Sequence, residues 1–476
     1  MVTELKPYPA YKDSGLPWLG QVPEHWEVHR AKRILRCIDV RSLSGDEELL
    51  TVSSVRGVIP RSTAAVTMFK AESYKGYKLC WPGDLVINSL WAWAGGLGVS
   101  RYHGIVSSAY SIYRPRVGYE AYSSFIHELV RSIPFQWELQ VRSKGIWISR
   151  LQLTDESFLN APIPIPPPTD QTVIVRYLDH ADRKVWHAIR ARQQLIKLLT
   201  EQKQAIIQRA VMRGLDPNVR LKPSGVSWLG DVPEHWEILR LKDACQRIVG
   251  GSTPRSDKAE YWNGDVVWVT PIDVTRSQRL DTSLRRITRE GLDSCSARLV
   301  PTGSIIVTCR APVGKVAVAA TELCTNQGCK AVVLRSEVLT TAFGALLMQT
   351  LEPELQSLAN GTTFSEIPLH KLACVPIPVP TIDEQITIVQ NIEEATVSLD
   401  KAIDGARREI ELLRKYRTRL IADVVTGKLD VRGVKIPDDE TDVLPEDVET
   451  IDDVEAVGQT DDVTEGNSES GAEENT

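Results

Sequence analysis

Ser14-Gly15-Leu16-Pro17-Trp18-Leu19-Gly20-Gln21-Val22-Pro23-Glu24-His25-Trp26-Glu27 returns as Ser224-Gly225-Val226-Ser227-Trp228-Leu229-Gly230-Asp231-Val232-Pro233-Glu234-His235-Trp236-Glu237, an offset of 210 with eleven of fourteen positions identical. A second pair follows. Pro162-Ile163-Pro164-Ile165-Pro166 with Gln171 returns as Pro376-Ile377-Pro378-Val379-Pro380 with Gln385, offset by 214. Between these frames the two halves barely match. A repeated frame around diverged contents implies one scaffold that presents two different surfaces.

Each Pro-rich stretch leads into a long helical pattern. Ile174, Leu178, Ala181, Val185, Ile189, Ile196, Leu199, Ile206 and Ala210 fall at steps of three and four, as do Ile388, Ile392, Ala395, Leu399, Ile403, Ala406, Ile410, Leu413, Leu420 and Val424. The stripe is narrow and sustained, the pattern of a coiled-coil seam. Asp170 and Asp383 are the expected N-caps, and Gly214 and Gly427 the expected ends. Such a helix runs on the order of 50 Å. Two matched helices, each following a matched domain, are expected to pair antiparallel with pseudo-twofold symmetry. Segments 35–160 and 245–375 read as mixed α/β. Pro82–Asn88 and Pro301–Thr308 are turns entering buried strands, Val266–Thr270 is a further strand, and short helices are expected near 121–132 and 338–351. The expected fold is therefore α+β. Its parts are a first domain (1–169), a helix (170–215), a second domain (216–382), a second helix (383–428) and a disordered acidic tail (437–476).

At 476 residues the chain exceeds one core. No apolar run has the length of a membrane span, and residues 1–15 carry no signal-peptide core. The eight cysteines include no C-x-x-C pair, which fits a reducing cytoplasm. The net charge of −6 conceals a division: residues 437–476 hold sixteen Asp or Glu and no Lys or Arg, so residues 1–436 carry 56 − 46 = +10. A basic body suits a polyanionic partner. The tail reads as a solubilising segment, or else as a nucleic-acid mimic.

Signatures of catalysis do not hold together. Gly314-Lys315 lacks the spacing and hydroxyl of a phosphate loop, and Ala94–Val99 is Gly-rich without the rest of a nucleotide-binding unit. Neither N-P-P-[FY] nor D-P-P-[FY] occurs. His25 and His235 share one repeat position, but one His per domain fills no coordination shell, so no metal site is expected. Trp26 and Trp236 read as packing anchors.

The diverged interiors carry the groups that grip nucleic acid. In the first these are Arg56, Lys75, Lys78, Asn88, Arg101, Lys144 and Arg150, with Arg61, Trp91, Trp93 and Trp147 among them. In the second they are Thr253, Arg255, Arg310, Lys315, Asn326, Gln327, Thr362, Thr363, Ser365 and Lys371, with Arg285 and Lys330. Lys and Arg neutralise phosphates, while Arg, Asn and Gln also hold base edges with paired hydrogen bonds. For any one of these residues a solvated surface is the simpler reading; the set on a +10 body favours DNA.

The Trp-Leu-Gly-x-Val-Pro-Glu-His-Trp repeats, Gly250-Gly251-Ser252-Thr253-Pro254 with Tyr261-Trp262 and Trp268-Val269-Thr270-Pro271, the Pro-Ile-Pro-x-Pro frames and the two helices together resemble the specificity subunit of type I restriction–modification systems, up to about residue 430. The resemblance implies two target-recognition domains that read a split, asymmetric double-stranded DNA site. It implies that the paired helices (Ile174, Leu178, Val185, Ile189, Leu199, Ile206; Ile388, Ile392, Leu399, Ile403, Ile410, Leu413, Leu420) fix the gap and dock two methylation subunits. Restriction subunits join that complex. S-adenosylmethionine, ATP and Mg belong to those partners, and this chain holds no cofactor. Two other readings stay open: a stand-alone nuclease or methyltransferase with an unfamiliar site, and a protein-only scaffold. If the helices act as a ruler, inserting four residues in either one alters the gap or abolishes activity; continued recognition of the original site contradicts the ruler.

Overall fold

The computed structural model describes residues 5–54, 56–64, 73–145, 151–359 and 366–437. Two compact units divide the chain: residues 1–193 with 407–476, and residues 194–406. The first long helix, Pro168–Arg213, and the second, Ile382–Val425, are each shared between them. Each unit thus contains one domain, the start of the helix that follows it and the end of the other helix.

The repeated motifs build the same frame in both units. Strand Glu27–Arg30 pairs antiparallel with Pro162–Ile165, and Glu237–Arg240 with Pro376–Val379. Alternate prolines are tolerated because each pair is a two-stranded sheet. The proline nitrogens, which have no hydrogen to donate, lie on the side without a partner. Each strand leads into its helix, and the repeated glutamine closes the corner. Gln171 Nε2 donates to the Pro166 carbonyl at 2.7 Å and Gln385 Nε2 to that of Pro380 at 3.0 Å.

The repeated tryptophans are fully buried, both at 0% exposure. In the first unit His25 Nε2 bonds Asp170, in the first turn of the helix, at 2.7 Å. A Cβ on Gly427, just past the end of the second helix, would collide with Pro23 and crowd Trp26. In the second unit His235 and Trp236 both bond Glu384, each at 3.0 Å, and Gly214 lies against Trp236. Both glycines have positive φ (78° and 73°), the left-handed helix end that glycine adopts without strain. Each indole is therefore held between the start of one long helix and the end of the other. The same core joins Trp26 to Ile174, Leu178, Leu420 and Val424, and the other joins Trp236 to Ile207, Ala210, Ile388 and Ile392.

Around this frame each domain carries an antiparallel four-stranded sheet of the same order. In the first it runs Leu35–Ile38, Tyr110–Pro115, Leu85–Asn88, Leu97–Val99. In the second it runs Cys245–Gly250, Cys329–Leu334, Ile305–Thr308, Val316–Ala319, and Arg279–Leu280 adds a fifth strand. The additions differ: two two-stranded ribbons in the first (Leu50–Ser53 with Gly57–Pro60; Lys78–Cys80 with Gly104–Val106), and in the second a three-stranded sheet of Arg285–Ile287, Trp262–Val269 and Cys324–Thr325. The expected short helices lie at Ser123–Arg131 and Thr341–Thr350.

Within each unit the helix segments run antiparallel. Arg192 bonds Glu409 at 2.8 Å and Arg417 bonds Asp182 in the first; Lys203 bonds Asp400 at 2.6 Å in the second. Lys203 and Arg417 occupy the same repeat position. The seam differs from its sequence reading in places. Ile174, Leu178, Val185, Ile189, Ile388, Ile392, Ile403, Ile410 and Leu420 are buried, whereas Leu199, Ile206, Leu399 and Leu413 are half-buried. Ile207 replaces Ile206 because the last turns of the first helix leave the seam and enter the second domain's core. Thr396 is buried while Ala395 is exposed, since the seam steps by four there. The helices also start earlier than the aspartates. Pro168 opens the first, as a proline without an N–H can, and Asp170 is occupied by His25. Thr381 caps the second, its hydroxyl accepting from the Glu384 N–H.

Trp26→Ala and Trp236→Ala are each expected to cost about 3–5 kcal/mol. Denaturant unfolding measures this, and a loss below 1 kcal/mol contradicts the anchoring role.

Candidate nucleic-acid interface

In the first domain the candidate interface is built on the hairpin of strands Leu85–Asn88 and Leu97–Val99. Its tip, residues 89–96, holds a short turn at Ala92–Ala94. Gly95, at φ 84°, reverses the chain, and Gly96 approaches so closely that a Cβ there would lie 2.9 Å from Trp91. Leu90 and Trp91 project outward, 48% and 46% exposed. Trp91 stacks on Trp93 with centroids 6.1 Å apart and planes 16° off parallel, and Trp93 Nε1 donates to the Leu90 carbonyl at 3.1 Å. Arg131 holds the tip from below, donating to the Leu97 carbonyl at 2.8 Å and the Ser54 carbonyl at 3.0 Å. The Val99 N–H donates to His127 Nδ1 at 3.1 Å.

Beside the tip, Asn88 and Thr51 side chains bond the Tyr110 hydroxyl, near the Arg61 charge. Asn88 Oδ1 also accepts from the Leu90 N–H. Lys78 Nζ donates to the Tyr110 carbonyl at 2.8 Å, and the Arg56 guanidinium to the Thr63 carbonyl at 3.2 Å. Lys75, Arg101 and Lys144 are exposed. Residues 85–119 contain Arg101, Arg114 and Arg116 and no Asp or Glu, and residues 49–71 are likewise free of acid.

The second domain's corresponding hairpin, Ile305–Thr308 with Val316–Ala319, has a polar tip. Thr308 Oγ1 accepts from the Lys315 N–H at 2.9 Å, and Gly314 turns at φ 88°. The cations here are ion-paired: Arg310 with Glu366 at 2.8 Å, Lys315 with Glu352 at 2.7 Å, and the buried Lys330 with Glu366 at 3.5 Å. Lys371 Nζ reaches the Leu358 carbonyl at 3.5 Å. A separate cluster surrounds the Gly-rich turn. Trp268 Nε1 donates to the Ser252 carbonyl and Trp262 Nε1 to that of Arg255, while Thr253 Oγ1 donates to Gln327 Oε1. Asn326 Oδ1 caps its own turn at the Gly328 N–H. Arg285 lies 3.9 Å over the Trp262 ring, a cation–π contact that presets the guanidinium. Arg255 pairs with Asp257 at 2.7 Å and holds that carboxyl below its usual range.

The structure thus gathers Asn88 and Lys78 with the Trp91–Trp93 tip, Thr253 with Asn326 and Gln327, and Arg310 with Lys315. Arg150, Thr362, Thr363 and Ser365 lie outside the described residues, as does the tail from 438. Sequence reasoning missed Leu90, Tyr110, Glu352 and Glu366. Leu90 was legible as an apolar residue at a hairpin tip. The glutamates come from segments 37 and 56 residues from their partners, a separation no local pattern bridges. Among the described residues there is no cluster of three metal-ligating side chains, and no helix is long and apolar enough to cross a membrane. His25 and His235 serve the frame.

Residues 233–409 match the type I restriction modification DNA specificity domain. The chain is 33% identical over 195 residues to a type I restriction enzyme specificity subunit of Methanocaldococcus jannaschii, MjaIX, covering 40% of this chain and 44% of that one. It is 31% identical over 175 residues to the Escherichia coli EcoR124I/EcoR124II specificity subunit, covering 35% and 42%. The chain spans less than half the length of these two relatives. A solved structure concerned with complex assembly and conformational transition of the type I R-M system matches 86% of this chain and 99% of its own, at 20% identity and a TM-score of 0.60. At that identity the likeness is one of fold. The specificity-domain match lies on the second domain and the helix after it; the first domain repeats the same frame.

His127 gives this hairpin a pH dependence. Desolvation, helped by the Arg131 and Arg101 charges, pushes its imidazole down to about 3, and Nδ1 must be unprotonated to accept the Val99 N–H. The unfolded imidazole takes up a proton below about 6.5 and the folded one only below about 3. Between those values the unfolded state binds more protons, so this contribution to stability falls as pH falls. Glu128, pushed up to about 6 by desolvation and Asp182, acts in the opposite direction below about 6. The comparison must therefore be between variants. His127→Asn keeps an acceptor but cannot charge, so its Tm should fall less than wild type between pH 7 and 5; equal slopes contradict the assignment.

Proposed function

We propose that this chain is the sequence-specific DNA-recognition subunit of a cytoplasmic type I restriction–modification complex. It reads a bipartite, asymmetric site in double-stranded DNA, one block with each domain. It positions two methylation subunits and the restriction subunits, and it carries no catalysis itself. S-adenosylmethionine, ATP and Mg act on those partners. One observation carries the reading: the same four-stranded sheet occurs twice on one duplicated frame, with chemically different hairpin tips. Two unlike readers on like supports are what an asymmetric site requires, and the basic body supplies the attraction to phosphates.

Selection from a randomised duplex pool by the full chain with its methylation subunit is expected to enrich two blocks of defined bases separated by a fixed number of free positions. A pool that stays random contradicts the reading. Affinity for the selected site should fall about 10³–10⁵-fold between 50 and 200 mM salt if roughly 6–10 phosphates are contacted. A salt-independent affinity contradicts an electrostatic footprint.

A further inference from the structure

The two hairpin tips differ in kind, and that difference says how each half-site is read. The second domain's tip is charged, with Arg310 and Lys315 each paired to a glutamate. The first domain's tip is apolar: Leu90 and Trp91 project from a turn fixed by the Trp91–Trp93 stack, the Trp93–Leu90 hydrogen bond, the close approach of Gly96 and the Arg131 clamp. Exposing a leucine and an indole on a rigid tip is unfavourable for the isolated chain. A preorganised apolar projection loses little conformational freedom when it enters a partner.

The charge around the tip selects the partner. Residues 85–119 contain no acid, Arg61 and Lys78 lie beside Tyr110 next to the tip, and the acid that reaches these strands, Asp155, is engaged by the Ser111 and Tyr113 hydroxyls. A protein surface would offer no reason for that bias; a duplex, with phosphates flanking the bases, does. Base edges and faces are the apolar surface that phosphates surround, and apolar side chains that enter between base steps unstack and kink the duplex.

Resting on the DNA-recognition reading above, we propose that Leu90 and Trp91 form an apolar wedge. The wedge packs into the bases of the half-site read by the first domain, so that this block is specified by deformability and apolar contact. The other block is read by a charged tip. Leu90 and Trp91 are thus specificity-determining residues that neutralise no phosphate.

The test uses the full chain co-purified with its methylation subunit and a randomised duplex pool, comparing wild type with Trp91→Ala, Leu90→Ala and Arg310→Ala. The wedge predicts that Trp91→Ala and Leu90→Ala lose defined bases in one block only and weaken binding to the wild-type site about tenfold or more, with the slope of affinity against salt unchanged. Arg310→Ala should instead alter the other block. With 2-aminopurine at successive positions of the first block, wild type should raise the fluorescence at one step and Trp91→Ala should not. Leu90→Ala keeps the test open if Trp91→Ala does not fold. An unchanged first block, loss in both blocks, or loss of the methylation subunit with both blocks intact overturns the wedge. Absence of any selected site with wild type overturns the DNA-recognition reading itself.

Discussion

Everything in the frame depends on one buried ring per unit. Trp26 and Trp236 each sit where the first turn of one long helix meets the last turn of the other, and each is at 0% exposure. The neighbouring His is bonded to a carboxylate of that first turn, Asp170 or Glu384, which are repeat equivalents 214 residues apart. An acid near a helix N-terminus is favourably placed against the helix dipole, and here the same group also ties the domain to the helix. Where the start of one helix and the end of the other meet at one indole and the two lie side by side, joined by Arg192–Glu409, Arg417–Asp182 and Lys203–Asp400, they run in opposite directions. The indole fixes which ends meet, and the seam contacts fix the antiparallel pairing.

The seam adds selectivity. Lys203 and Arg417 stand at one repeat position and reach across to Asp400 and Asp182. Arg417 also lies 5.6 Å from the Trp186 ring, and position 186 is the repeat equivalent of Asp400. These ion pairs are partly exposed and each contributes little stability. Their value is register: a slip of one residue would face the cations with Leu399 and Ala181 in one direction or with Lys401 and Arg183 in the other.

Much of this was legible in the sequence because repeats reveal structure that single motifs do not. The duplicated Trp-Leu-Gly and Pro-Ile-Pro stretches gave the frame, the helices and the two-domain organisation, and the strands entered at Pro82 and Pro301 followed from their turns. Helix starts were misplaced because Asp170 resembles a cap while its carboxylate is committed to His25. The site was less legible. Lys78, Asn326 and Arg310 read as unpartnered side chains, yet each also has a partner in the fold: a carbonyl, an adjacent turn and Glu366. Whether a polar group faces a ligand or its own fold depends on residues distant in sequence. Leu90 is hidden for the opposite reason: an apolar side chain carries no charge to mark it as a ligand group, and only the fold shows it exposed at the tip.

The central claim, that one frame carries two unlike DNA readers for a partner's chemistry, is met most directly by single-molecule methylation sequencing. DNA from cells expressing this chain with its methylation subunit would be compared with DNA from cells lacking the chain. The account predicts one bipartite, asymmetric adenine-methylation motif that vanishes without the chain. The same motif in its absence, or none in its presence while the two proteins associate, would contradict it.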